Sequence, residues 1–208
     1  MSAYLGIDIG ISGTKAVAMD PSGKILAGAA ERHLTQHPKP NWSEQDPENW
    51  WQATVTAVQR TVKNAKLKAD DVKAVGVSGQ MHTCVCLDNK NRVVRPAILG
   101  QDPRGTEFCD QIEELAGGRK KLLRQATNRA LGMFTAPKLL WLQEHEPRSF
   151  SRTAKILLPK DEIRRRLTGE IATDPSDASG TLLFNVVRRQ WSKPLLGKLE
   201  LDASLLPT

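Results

Sequence analysis

Three short stretches of this chain bring together residue types that can hold a phosphate and a polyhydroxylated ligand. The first is Gly6-Ile7-Asp8-Ile9-Gly10-Ile11-Ser12-Gly13-Thr14-Lys15. Its glycines do not follow the dinucleotide-binding spacing, no GxxxxGK[ST] loop is present, and Lys15 to Asp20 reads as a strand rather than a helix. What remains is a carboxylate, Asp8, at the end of a strand and facing a tight turn. The N–H groups of such a turn can surround phosphate oxygens. Glycine lets the main chain approach a ligand, Ser12 and Thr14 add hydroxyl donors, and Lys15 adds positive charge. Asp8 is suited to hold Mg2+ through water, because that ion keeps much of its hydration shell. An ordinary hairpin containing an Asp has the same residues, and this stretch alone does not separate the two.

The second stretch, Gly76-Val77-Ser78-Gly79-Gln80-Met81-His82, breaks between two apolar runs. It leaves Gln80, Met81 and His82 at strand ends, where ligand sites are common. A structural histidine fits the same position. The third, Gln101-Asp102-Pro103-Arg104, stands at the end of a strand and the start of a helix. A carboxylate and a guanidinium two residues apart can accept from and donate to vicinal hydroxyls. Asp102 also fits an N-cap with Pro103 at the first helical position, and the two roles are compatible.

The elements that position these stretches follow from spacing. Residues 4–9, 14–20 and 24–35 are apolar or alternating and are separated by Gly10–Gly13 and Pro21-Ser22-Gly23, which predicts three antiparallel strands. A polar, Pro-containing loop covers Gln36 to Gln45. Asp46-Pro47-Glu48 then starts a helix whose Trp51, Val55, Val58 and Val62 recur at spacings of three and four, giving one buried face. Strands are expected at Val72 to Ser78, Thr83 to Asp88 and Val93 to Leu99. Helices are expected over 104–126, 136–145 and 160–168, with short strands at Lys155 to Leu158 and Thr181 to Val187. The order describes one α/β domain over 1–208, with a mixed sheet that is antiparallel on one side.

Composition narrows the function classes. No run of eighteen apolar residues occurs, so a membrane span is not expected, and Tyr4 enters a strand without a basic-then-apolar leader, which points away from secretion. Cys84, Cys86 and Cys109 form no CxxC pair and read as reduced thiols of a cytoplasmic protein, the first two on one face of a strand. The net charge of +7 gathers in Arg119-Lys120-Lys121-Arg124 and Arg164-Arg165-Arg166. With little aromatic interleaving, these runs read as solvated helix faces rather than a nucleic-acid surface, and positive charge suits polyphosphate ligands equally.

Taken together, the three stretches resemble the FGGY family of carbohydrate kinases, and within it the bacterial xylulokinases. The likeness runs along the whole chain, through Trp42-Ser43-Glu44-Gln45-Asp46-Pro47, Gly79-Gln80-Met81-His82, Arg95-Pro96-Ala97-Ile98-Leu99, Phe134-Thr135-Ala136-Pro137-Lys138, Leu157-Leu158-Pro159-Lys160-Asp161 and Ser176-Asp177-Ala178-Ser179-Gly180-Thr181. The resemblance implies an actin/hexokinase-like (ribonuclease H-like) fold, a mixed sheet with helices on both faces, of which this chain holds an incomplete N-terminal domain. It implies phosphoryl transfer from ATP, with Mg2+, to D-xylulose. The alternatives are a non-catalytic sugar-binding fragment, or a kinase for another pentulose or polyol.

By the same resemblance Asp8 belongs to the Mg-ATP side, and Ser12, Gly13, Thr14 and Lys15 to a phosphate hairpin. Met81 and His82, with Gln80, would line the sugar site, and Asp102 and Arg104 would bond its hydroxyls. The family usually has Thr where Ile11 stands and Trp where Gly100 stands, which implies one fewer hydroxyl at the hairpin and a missing aromatic wall in the sugar pocket. The family's general-base Asp and its adenine-binding domain fall later than Thr208, so the isolated chain is expected to be inactive. Its expected partners are a ketose and either the rest of a kinase polypeptide or a second copy, because residues 72–78 and 83–88 and the ending Leu199-Leu201-Leu205-Leu206 are expected to lack apolar cover.

Overall fold

The computed structural model describes residues 2–208. The turn-forming separators deliver the expected antiparallel run: β1 (Ala3–Ile9), β2 (Gly13–Met19) and β3 (Ile25–Arg32). In β1, Ala3, Leu5, Ile7 and Ile9 are buried while Tyr4 and Asp8 are exposed, the period of two that a strand with one covered face imposes. The loop expected over 36–45 ends instead in a short buried strand, β4 (Glu44–Gln45). Next comes α1 (Pro47–Asn64), with Asp46 accepting from the Glu48 N–H as N-cap and Pro47 in the first position.

α1 covers one face of the sheet, though not with the row expected. Its fully buried residues are Trp50, Ala53, Thr54, Ala57 and Thr61, and the Trp51, Val55, Val58 and Val62 row is half-buried beside them. Small residues at the centre let the helix come close to the strands, so that the Thr61 hydroxyl donates to Ala16 O at 3.2 Å. β5 (Val72–Gly79) then returns parallel to β1, and the sheet order is β3-β2-β1-β5.

β6 (Val85–Leu87) and β7 (Ala97–Ile98) are shorter than expected, but bridges Cys84↔Ile98 and Leu87↔Val93 continue their pairing. β7 pairs with β4. Cys84 and Cys86 are buried free thiols, Sγ to Sγ 3.8 Å, facing one core, while Val85 between them enters another.

In place of one helix over 104–126 there is a 3-10 segment (Pro103–Phe108), then α2 (Cys109–Ala116) and α3 (Arg119–Ala126). Gly117 and Gly118, at φ 89° and 97°, end α2 by returning their N–H groups to Glu114 O and Glu113 O. α4 (Thr135–His145) follows, then α5 (Pro147–Arg152), β8 (Lys155–Leu157), which pairs with β6, and α6 (Pro159–Thr168). The last part is α7 (Pro175–Ser179), the β9 (Phe184–Asn185) and β10 (Gln190–Trp191) pair, and α8 (Lys193–Lys198). Of the strand expected over 181–187 only β9 forms, since Leu182 turns into the left-handed region at φ 66°.

The mixed sheet with its flanking helices has the actin- and hexokinase-like α/β architecture expected. Cover is uneven along it. β5 is largely exposed, Val75 by 47%, as expected for residues 72–78. Residues 83–88 are all buried, which corrects the expectation for them: β6 is closed in by β7 and β8. Leu199, Leu201 and Leu206 are also buried, in the same core as Leu139 and Trp141 of α4. Among the described residues no helix is long and apolar enough to cross a membrane. The arginines of the second basic run are largely paired, Arg165 and Arg166 with Glu162, and Arg166 also with Glu48.

Candidate functional site

Asp8 lies on the uncovered face of the sheet. There β1, β2 and β5 line an open groove of about 580 Å³ that includes Gly6, Asp8, Lys15, Val17, Gly76 and Ser78. Asp8 and Lys15 are cross-strand partners, and Asp8↔Ser78 is the register on the other side. Asp8 accepts one hydrogen bond, from the Ser78 hydroxyl at 2.9 Å, and among the described residues neither Asp8 nor Lys15 forms an ion pair. Gly6 and Gly76 leave the floor bare. The hairpin tip closes with the Gly10 N–H donating to Gly13 O at 3.0 Å. Gly13 is required by close approach, since a Cβ there would meet Glu31 O at 2.6 Å.

Of the hairpin residues, Ser12 and Lys15 are exposed, but Thr14 is not. Alternation turns Thr14 to the α1 side, where its hydroxyl is fully buried without a partner. Thr14 is not among the residues that line the groove holding Asp8 and Lys15. No group of three or more potential metal ligands occurs among the described residues. A single accessible carboxylate fits Mg2+ held through water beside a phosphate, and does not fit a dedicated all-protein cage.

The second stretch forms a strained turn at the end of β5. The Gln80 N–H donates to Ile9 O at 2.7 Å, Met81 is 59% exposed, and His82 has φ 65° with a buried ring. Nδ1 of His82 lies 2.9 Å from Gly180 O, and a carbonyl only accepts, so Nδ1 carries the hydrogen and Nε2 is the ring's acceptor. Burial lowers the imidazole pKa, with Lys138 adding to the effect and the Gly180 bond opposing it. Phe134 packs edge-on against the ring at 4.9 Å. Gly180 has no room for a side chain, because a Cβ would sit 2.5 Å from Nδ1. Gly100 also faces this turn, its Cβ direction 3.0 Å from Met81 O.

The third stretch is closed. Asp102 is fully buried, with Oδ2 accepting from the Ser43 N–H at 2.6 Å and from Arg104 Nη2 at 2.7 Å. Its Oδ1 accepts from the N–H and Nε of Arg104 at 3.0 and 2.8 Å. Burial pushes this carboxyl up, but Arg104 and the Ser43 N–H outweigh it, and the pKa is lowered. Arg104 stacks 3.7 Å over Trp42 and pairs through Nη1 with Glu44 at 2.7 Å, as an ion pair not aligned for a hydrogen bond. Glu44 and Glu146 in turn hold Arg95, at 2.5 and 2.9 Å. Every oxygen of Asp102 is used internally, and the guanidinium is enclosed. The contact of Oδ1 with the Arg104 N–H is that of an N-cap.

Three residues that spacing did not single out brace the site. Gln45 is fully buried and bonds Ile11, Thr35, Trp50 and Gln80. Lys138 is fully buried and donates only to carbonyls, those of His82 at 3.2 Å, Phe134 at 3.3 Å and Met133. Its burial lowers the pKa to about 8. Lys160, at the start of α6, bonds Asp161 and Asp174 at 2.7 and 2.6 Å and lies 3.4 Å from Asp177. A buried lysine and a buried glutamine carry no periodic signal. The one available hint was a polar residue inside an otherwise apolar run, as Lys138 is before Leu139-Leu140-Trp141.

With this geometry in view, comparison with known proteins identifies the class. Residues 3–208 match the FGGY family of carbohydrate kinases, N-terminal domain, and the chain belongs to that family. It is 43% identical over 204 residues to a xylulose kinase of Klebsiella pneumoniae and 44% identical over 205 residues to that of Escherichia coli K12, in each case over 98% of this chain and 41% of the relative. A crystal structure of a "xyloylose kinase" from Brucella ovis superposes with a TM-score of 0.93 at 36% identity, over 99% of this chain and 42% of that one. The chain thus spans about 41% of the length of the curated relatives it matches.

Proposed function

We propose that this chain is the sugar-binding part of a kinase that transfers the terminal phosphoryl group of ATP to D-xylulose, giving D-xylulose 5-phosphate and ADP. The observation that carries this reading is the Gln80-Met81-His82 turn. It presents exposed Met81 beside His82, whose Nδ1 faces Gly180 O and leaves Nε2 for a ligand, at the end of the same sheet whose open face carries Asp8 and Lys15. The ketose is read as lying against the turn, with His82 and Gln80 ordering its hydroxyls. The terminal phosphate is read as lying at the hairpin, against the backbone N–H groups, the Ser12 hydroxyl and Lys15. Asp8 would hold Mg2+ through water, and the bound ion would offset phosphate charge. A cytoplasmic setting belongs to the same proposal.

A second reading, a kinase for another pentulose or polyol, is favoured by Gly100. This glycine faces the turn where the family resemblance implies a tryptophan. A thermal-shift series with D-xylulose, D-ribulose, L-ribulose, glycerol and gluconate separates the two, because a ligand bound only to the folded state raises apparent stability. The largest shift is expected with D-xylulose. A larger shift with another ligand would favour the second reading, and no shift with any would sink both. By themselves these 208 residues are proposed to bind the ketose without turning it over, so an ADP-release assay is expected to read background.

A further inference from the structure

We infer that Gln45 is the positioning residue that ties the phosphate hairpin to the ketose turn, so that the two halves of the site respond together. This rests on the reading of those halves given above. The orientation of the Gln45 carboxamide is fixed by partners that have no choice of role. Trp50 Nε1 only donates, so its 2.8 Å contact identifies Oε1, and Ile11 O only accepts, so its 2.7 Å contact identifies Nε2. Gln80 Nε2 then gives Oε1 a second bond at 3.0 Å, and Thr35 Oγ1 takes the second N–H at 2.8 Å. One amide thus joins four segments with its full hydrogen-bonding capacity: the hairpin, the strand β3 exit, α1 and the turn.

The hairpin tip has few other ties. Ile11 is 48% exposed, and apart from Gln45 the tip is held by the Gly10–Gly13 bond and a 3.4 Å contact of the His33 N–H with Ser12 O. Gln80 is anchored to β1 by its own N–H, and its side chain donates to Gln45 and accepts a long bond from the Thr83 hydroxyl at 3.4 Å. A ligand that orders the turn therefore orders Gln45, and through it Ile11. By reciprocity, an anion at the hairpin orders the turn.

The isosteric change Gln45→Glu tests this. It keeps the acceptor for Trp50 and Gln80 but sets a carboxylate oxygen against Ile11 O. Amide-exchange protection factors of Gly10 (hairpin) and Gln80 (turn) are read by NMR with and without saturating D-xylulose. In the unchanged chain the ketose is expected to raise protection at both. In Gln45→Glu, Gly10 should lose about tenfold in protection and Gln80 less than about twofold. Ketose should then protect Gln80 alone. Unchanged Gly10 protection in the variant would overturn the inference. So would equal losses at Gly10, Gln80 and the core amides, which denote a purely structural role, or ketose binding that never reaches Gly10 in the unchanged chain. If the unchanged chain binds no ketose, the functional reading fails, and the unliganded contrast between Gly10 and Gln80 still decides the tie. Should Gln45→Glu not fold, Thr35→Val removes one of the same bonds from a half-buried position, and about a threefold loss at Gly10 is expected, with no loss overturning the inference.

Discussion

Asp8 and Asp102 occupy comparable places in the sequence, each near the end of a strand and followed by a cation, Lys15 seven residues on and Arg104 two. Their surroundings differ. Asp8 is exposed on a bare sheet face with one hydrogen bond and, among the described residues, no cation at ion-pair distance. Asp102 is fully buried, with four donors on its two oxygens. The fold leaves Asp8 underpaired and satisfies both oxygens of Asp102. The second region extends beyond Asp102, since the Arg104–Glu44–Arg95–Glu146 chain and Lys138 also spend their charges inside the protein.

The sharpest way to break this comparison is Asp102→Ala, which strands Arg104 beside a single remaining carboxylate. Removing one member of a buried pair costs about 3–5 kcal/mol. Urea unfolding should show a loss of that order, and a loss under about 1 kcal/mol would mean that the layer is not the scaffold described.

Lys138 gives the next largest effect, and it depends on pH. Its folded pKa is about 8 against an ordinary 10.5, so below 8 the amine is charged in both states and the folded state bears the full cost of burying it. Between these values the unfolded chain binds more protons, and stability rises with pH, by about 3 kcal/mol at most. Measured at about pH 7.5 and pH 10, wild type should gain on Lys138→Met by about 2 kcal/mol. A difference that stays flat would remove Lys138 from the buried layer.

Gly180→Ala sharpens the account of the turn. The added methyl would lie 2.5 Å from His82 Nδ1, so the ring must move, at about 1–3 kcal/mol. The His82 ring signals should shift in NMR spectra, and unshifted signals would contradict the tight seat. The smallest change is Asp8→Asn, expected within about 0.5 kcal/mol of wild type because little in the fold depends on it. A large loss there would erase the distinction between the two carboxylates.

Much of the frame was legible from turn chemistry. Gly10–Gly13, Pro21-Ser22-Gly23 and Asp46-Pro47 delimit β1, β2, β3 and α1 in the structure as in the sequence. Gly117-Gly118 is an equally plain stop in the sequence, and it divides the expected helix over 104–126 into α2 and α3. The buried row of α1 was misjudged because hydrophobicity favours valine over alanine, while close helix–sheet packing favours alanine. Within the site, Asp8, Lys15 and the Gln80-Met81-His82 turn stood out through their position at strand ends. Thr14 did not obey that logic, because strand alternation turns it to the α1 side. Asp102 fits two compatible roles in sequence, and its N-cap bond to the Arg104 N–H is the one on view in the structure. Gln45 and Lys138 were illegible because their partners are backbone carbonyls and side chains distant in the chain, as in Gln45 to Ile11 and Lys138 to His82.

The proposed function has the 80–82 turn binding the ketose while Asp8 serves the phosphate side. Calorimetric titration of D-xylulose into wild type, Asp8→Asn and His82→Ala tests it directly. Wild type and Asp8→Asn should bind alike, and His82→Ala should bind about tenfold more weakly, the usual cost of one lost hydrogen-bond partner. Equal binding by all three, or no heat with wild type at millimolar ketose, would contradict the account.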